Sequence, residues 1–187
     1  VTTRFRVDIR LATDRDNVLL AELGAETFTA TFSAENTPED MERYISAAFS
    51  PDIQAAELAD PANVFLIAEE SGVAVGYARL REAMPGVVLD AARPIEIVRL
   101  YARVDSIGRG VGAALMQASL EVSRARHCDA VWLGVWERNL RAVAFYRRWG
   151  FVGFGSHTFV LGQDRQNDLL MAKSLDPLPV EAADRDA

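Results

Sequence analysis

The sequence predicts an α/β (α+β mixed) fold, a central mixed, twisted β-sheet of about seven strands flanked by helices. Three observations carry this. Seven short apolar, β-rich runs recur along the chain; capped amphipathic segments lie between several of them; and a glycine-rich turn, Ile107-Gly108-Arg109-Gly110-Val111-Gly112, joins one such run to one such segment.

Phe5 to Leu11 alternates apolar and polar residues and reads as the first strand, after which Thr13 or Asp14 caps a helix to about Phe28. Ser33 to Pro38 is polar and turn-like. Thr37-Pro38-Glu39-Asp40 then has the chemistry of a helix start, with a cap, a proline in the first turn and acids near the positive end of the dipole, so a second helix is expected to about Phe49. Ser50-Pro51 opens a third through roughly Leu58. Asn63 to Glu70 and Val73 to Arg81 form a hairpin around Glu70-Ser71-Gly72, and Met84 to Pro94 is a loop. A strand is expected from Ile95 to Val104, a helix from Gly110 to about Arg126, a strand from Ala130 to Trp136 and a helix from Asn139 to Trp149. Phe151 to Leu161 and Asp168 to Ser174 complete the strands. Helix-joined strands on both sides of the glycine turn imply a largely parallel local pair inside the mixed sheet.

At 187 residues, 50% hydrophobic and 25% charged, the chain fits one globular domain, expected over 1–175, with an acidic, mobile tail over 176–187. The net charge is −7, of which the tail's four acids and one arginine contribute −3. The remaining −4 permits a cationic substrate without demanding one. No clustered basic face is visible, which argues against nucleic acid as a partner. No apolar run is long enough to span a bilayer and the N-terminus lacks a signal peptide's apolar centre, so a cytoplasmic protein with no membrane partner is expected. A single cysteine, Cys128, excludes an internal disulfide, and with only His127 and His157 a metal centre is not expected. Cys128 reads as a small buried hydrophobe. A monomer or a homodimer is compatible with the pattern.

The glycine turn is the sharpest signal. A strand that ends in such a turn leaves the first N–H groups of the next helix unpaired and aimed at one point, where the dipole favours an anion. Gly108, Gly110 and Gly112 let the backbone close on phosphates, although a mere tight turn would use the same residues. Arg109, in the turn, is a candidate phosphate contact or a solvated arginine. Together with strand Val131 to Trp136, Glu137-Arg138-Asn139 and Ala144-Phe145-Tyr146-Arg147-Arg148-Trp149-Gly150-Phe151, the turn resembles the GNAT superfamily of acetyl-coenzyme A-dependent N-acetyltransferases across the C-terminal half. Glu26-Thr27-Phe28-Thr29-Ala30-Thr31-Phe32, Glu35 to Met41 and Ala47-Ala48-Phe49 add a likeness to bacterial spermine/spermidine N-acetyltransferases. One departure is Ile107, where the family has Gln or Arg, so a side-chain contact near the pyrophosphate is missing.

The resemblance implies acetyl-coenzyme A as co-substrate, bound by Leu100, Tyr101 and Ala102 through the main chain and by Gly108, Arg109, Gly110, Val111, Gly112, Ala113 and Asn139. Asn139 is equally well explained as a helix cap. An alkylamine has a pKa of about 10, so at neutral pH only on the order of one molecule in a thousand is nucleophilic. The resemblance makes Glu96 the general base, and an edge-facing charge or a partner for Arg99 or Arg103 is the competing reading. It makes Tyr146 the acid that protonates the departing thiolate, against a role as a core aromatic. Glu26, Glu35, Phe28 and Phe32, on the segments that should wall the cleft, are the candidate acceptor contacts. A polyamine is the leading acceptor, a protein N-terminus or lysine the second, and a GNAT-fold module that binds ligand without turnover the third.

Overall fold

A computed structural model describes residues 6–161 and 164–175; the expected mobile tail lies outside them. All seven expected strands form, as β1 (Val7–Leu11), β2 (Asn63–Glu70), β3 (Val73–Glu82), β4 (Pro94–Ala102), β5 (Ala130–Trp136), β6 (Val152–Leu161) and β7 (Asp164–Ser174). They make one sheet in the order β1-β2-β3-β4-β5-β7-β6. Every pairing is antiparallel except β4 with β5. The helices are α1 (Asn17–Phe32), α2 (Pro38–Ala48), α3 (Pro51–Ala59), α4 (Val111–Ala125) and α5 (Leu140–Arg148).

Three boundaries move. Helix α1 continues a turn past Phe28, favoured by the Phe28 and Phe32 rings one turn apart, which meet at 4.5 Å; the hydroxyls of Thr27 and Thr31 are satisfied by the carbonyls of Leu23 and Thr27. Strand β4 ends at Ala102, and Val104–Ser106 turns into a short 3-10 helix. Strand β7 begins at Asp164 and not Asp168, running back along β6 from the pair Leu161 and Asp164. Its polar start hid it, since ladder hydrogen bonds are made by the main chain whatever the side chain.

Alternation along the strands divides the core between the two faces. Val64, Leu66, Ala78, Leu80, Ile95, Ile97, Leu133 and Val135 pack with Leu115, Met116 and Leu120 of α4 and Val143 of α5. The intervening Phe65, Ile67 and Tyr77 pack with Leu20 and Leu23 of α1. Cys128 is buried and free, as expected. Among the described residues no helix is long and apolar enough to cross a membrane, and no group of three or more His, Cys, Asp or Glu could hold a metal ion.

The feature that positions the site is a fork in the sheet. Strands β4 and β5 pair only from Pro94 to Glu96 against Ala130 to Trp132, yet β4 runs on to Ala102 and β5 to Trp136. A bulge helps them part. On β3 Arg79 faces Arg99 and its neighbour Leu80 faces Ile97, leaving Val98 as an extra residue that bends β4 at the start of the fork. Under the fork, the carboxylate of Glu57 on α3 binds both Arg79 and Arg99, with Arg99 at 2.8 Å and 4.9 Å above the Phe49 ring. All three charged side chains are largely buried, which fixes α3 against β3 and β4.

Candidate active site

A cleft of ≈ 850 Å³ occupies the fork. From the edge of β4 it takes Leu100, Tyr101 and Ala102; from the glycine turn Gly108, Gly110, Gly112 and Ala113; and from α5 Phe145 and Tyr146. The opposite wall is Phe28 and Phe32 of α1, Tyr44 of α2, and Gly134 and Trp136 of β5. Two carboxylates, Glu35 and Asp168, line it as well.

The glycine turn has the anion-receiving geometry that its sequence suggests. Gly110 stands at the N-cap of α4 with φ +97°, a left-handed conformation that a side chain would strain, and no side chain caps the helix. The amides of the first turn, Val111 to Ala113, are thereby left for a ligand. A Cβ on Gly76 would lie 2.6 Å from the Tyr101 carbonyl oxygen and 3.0 Å from the Val111 side chain, so glycine there lets α4 start close against the end of β4. Ile107, the departure from the family pattern, also lines the cleft.

Tyr146 is 9% exposed, packed between Phe145 and Phe151 with ring centroids 5.4 and 5.8 Å away. Burial pushes its phenol up to about 12, so it stays protonated at physiological pH. Asn139 accepts a hydrogen bond from the Ala142 amide at 3.1 Å and also lines the cleft, so the capping role is real and leaves the second one open. Phe28 stacks on Tyr44 at 4.5 Å, and Phe32 reaches Trp136 at 5.9 Å across the cleft. Glu35 pairs with Arg138 over the same gap at 3.5 Å.

Four expected site residues are not among the side chains lining the cleft. Arg109 turns away from the glycine cradle to pair with Glu70 of β2 at 2.7 Å, which gives it a structural task that the local sequence does not show. The cations that do line the cleft are Arg99 of β4, Arg138, and Arg141 and Arg148 of α5. Val111 is the first residue of α4, and its side chain is in the core. Glu26 pairs with Arg103 at 3.0 Å beside a smaller, adjoining pocket of ≈ 350 Å³.

The fourth is Glu96. It lies where β4 and β5 are still paired and is not among the residues lining the cleft. Burial raises its pKa, and the charges of Arg79 and Arg81 oppose the rise. The arginines expected as its partners pair with other carboxylates, Arg99 with Glu57 and Arg103 with Glu26.

An uncapped helix start, an unpaired strand edge and a protonated phenol line one cleft, an arrangement that can hold a phosphate-bearing acyl donor. The family profile described as the acetyltransferase (GNAT) family matches residues 22–151. An uncharacterized N-acetyltransferase of Lactobacillus delbrueckii subsp. lactis is 34% identical over 171 residues, 90% of this chain and 98% of that protein. An uncharacterized N-acetyltransferase of Mycobacterium bovis is 34% identical over 163 residues, 87% and 99% of the two chains. The crystal structure of the PaiA N-acetyltransferase of Thermoplasma acidophilum in complex with coenzyme A shares the fold, with a TM-score of 0.74 at 20% identity over 91% of this chain and 99% of that one. The chain belongs to the GNAT acetyltransferase family and is an acetyl-coenzyme A-dependent N-acetyltransferase. Neither relative's name specifies an acceptor.

Proposed function

We propose that the protein acetylates a primary amine by direct attack within a ternary complex, with a polyamine such as spermidine or spermine as acceptor. The observation that carries this reading is the single cleft in the fork. The uncapped turn of α4 and Tyr146 line one part of it, and an aromatic wall with two carboxylates lines another. Acetyl-coenzyme A supplies an activated acyl carbon and a thiolate leaving group.

The amides of Val111 to Ala113 receive the diphosphate, and the unpaired edge of Leu100 to Ala102 pairs with the pantetheine as an added strand would. A main-chain N–H of that edge stabilises the oxyanion. In this reading Arg141 and Arg148, which line the cleft, take the phosphate-contacting role, since Arg109 is paired with Glu70. As the nitrogen–carbon bond forms and the carbon–sulfur bond breaks, Tyr146 gives its proton to sulfur and regains one from the acylated nitrogen, so the phenol is restored.

Asp168 and Glu35, the latter shared with Arg138, give the acceptor region two separated carboxylates, which suits a cation with more than one amine. The contacts of Phe32 with Trp136 and of Glu35 with Arg138 bridge the walls, which favours a slender small molecule over a folded protein's N-terminus or lysine. Incubation with acetyl-coenzyme A and a panel of amines and peptides tests the reading. Coenzyme A release dependent on spermidine or spermine, and exceeding that with peptides, is expected; no amine-dependent release across the panel would remove the proposal.

A further inference from the structure

We propose that Asp168, not Glu96, is the carboxylate that binds the acceptor's ammonium group and takes its proton before attack. The assignment rests on reading the cleft as an amine acceptor site. Asp168 lies on β7 opposite Trp136 of β5, on the face of the sheet that carries Gly134, while its neighbours Leu169 and Met171 face the α4 core. Its side chain is 15% exposed. Among the described residues no arginine or lysine pairs with it, whereas the other cleft carboxylate, Glu35, has Arg138.

Two features leave its oxygens open to a cation. At Gly134 a Cβ would stand 3.5 Å from Oδ2 of Asp168 and 3.3 Å from the His157 ring, so the absence of a side chain there uncovers the carboxylate. The wall of the same cleft is aromatic, with Phe28 stacked on Tyr44 and Phe32 against Trp136, and ring faces favour an ammonium group. A largely buried carboxylate whose ionic neighbour among the described residues is His157, lining a cleft with an aromatic wall, is a cation site in chemical terms.

The groups around it fit a proton acceptor. Burial pushes the Asp168 carboxyl above its ordinary value, opposed by His157, and so narrows the gap to an ammonium whose own pKa falls when it is desolvated. His157 of β6 has its Nε2 3.9 Å from Oδ2 and is 44% exposed, which gives the proton an exit to solvent. Tyr44 of α2, on the aromatic wall, has its pKa raised first by burial and in lesser part by the Asp168 charge, so it stays protonated. One proton passes from the ammonium to Asp168 and on to solvent, and the freed lone pair makes the new bond, so the overall release is one proton per amide.

The test compares Asp168→Asn, Gly134→Ala and Glu96→Gln in the full chain, with spermidine as probe. Asp168→Asn is expected to lower kcat/KM for spermidine by roughly 10²-fold or more at neutral pH. The loss should shrink as pH rises and free amine becomes available, with coenzyme A affinity and melting temperature unchanged. Gly134→Ala, which covers the carboxylate without removing it, should raise KM for spermidine. Calorimetry on the protein saturated with coenzyme A should show spermidine affinity reduced in Asp168→Asn, a readout that needs no turnover. Absence of amine-dependent release by the unaltered protein would count against the proposed function. An Asp168→Asn enzyme as active as the parent, an unchanged spermidine affinity, or a larger loss in Glu96→Gln would overturn the assignment of Asp168.

Discussion

Tyr146→Phe is expected to lower kcat by roughly 10²-fold or more while leaving the affinity for acetyl-coenzyme A and the melting temperature nearly unchanged. The variant removes one oxygen and keeps the ring that packs against Phe145 and Phe151, so the core on which α5 rests is preserved. What is lost is the proton. With the phenol pushed up to about 12, the acid form persists across the physiological range. A limb of the pH–rate profile that depends on this acid should therefore lie on the far alkaline side, and the same limb should be missing from the variant. A tyrosine that serves only as packing would show neither loss. Steady-state kinetics with acetyl-coenzyme A and the best acceptor decide between them.

Glu57→Gln is expected to destabilise the fold by about 3 kcal/mol or more, because it leaves two buried guanidinium groups without their shared countercharge. The Arg79 and Arg99 side chains are each 9% exposed and both are held by this one carboxylate. Burial already pulls Arg79 below its ordinary pKa, and Glu57 is the largest charge opposing that pull. Arg99 has lesser partners in the Gln54 side chain and the Ala48 carbonyl, each at 3.4 Å, which cannot neutralise it. Arg99 also lines the cleft, so loosening it should raise KM for the acceptor more than for acetyl-coenzyme A. Chemical denaturation measures the first effect; a loss of less than about 1 kcal/mol, the range of an exposed pair, would contradict the account.

The parts of this molecule that were legible in the sequence are those whose physics is local. Period-two runs, the Thr37-Pro38 and Ser50-Pro51 helix starts and the hairpin at Ser71-Gly72 are set by neighbours in sequence, and they stand where the pattern places them. The uncapped helix after Gly110 is of the same kind. The polar start of β7 escaped because strand pairing is a main-chain property.

Site residues whose roles depend on distant partners were not legible. Nothing near Arg109 announces Glu70, and nothing near Arg99 announces Glu57, 42 residues earlier in the chain. Glu96 falls short of the cleft because the fork opens one residue later, and neither the bulge at Val98 nor the end of pairing with β5 leaves a mark in composition. Asp168, the polar first residue of the expected closing strand, carries no local mark of a site. The signal that could have found it is Gly134, a glycine inside an otherwise bulky strand, which points to space held for something close by.

Central to all of this is that the fork between β4 and β5 holds the thioester, with its diphosphate on the first turn of α4. A crystal structure of the protein with acetyl-coenzyme A tests that claim most directly. The account predicts diphosphate oxygens on the amides of Val111 to Ala113, the pantetheine paired with Leu100 to Ala102, and the sulfur beside the Tyr146 hydroxyl. A thioester bound outside the fork, or a sulfur out of reach of Tyr146, would contradict it.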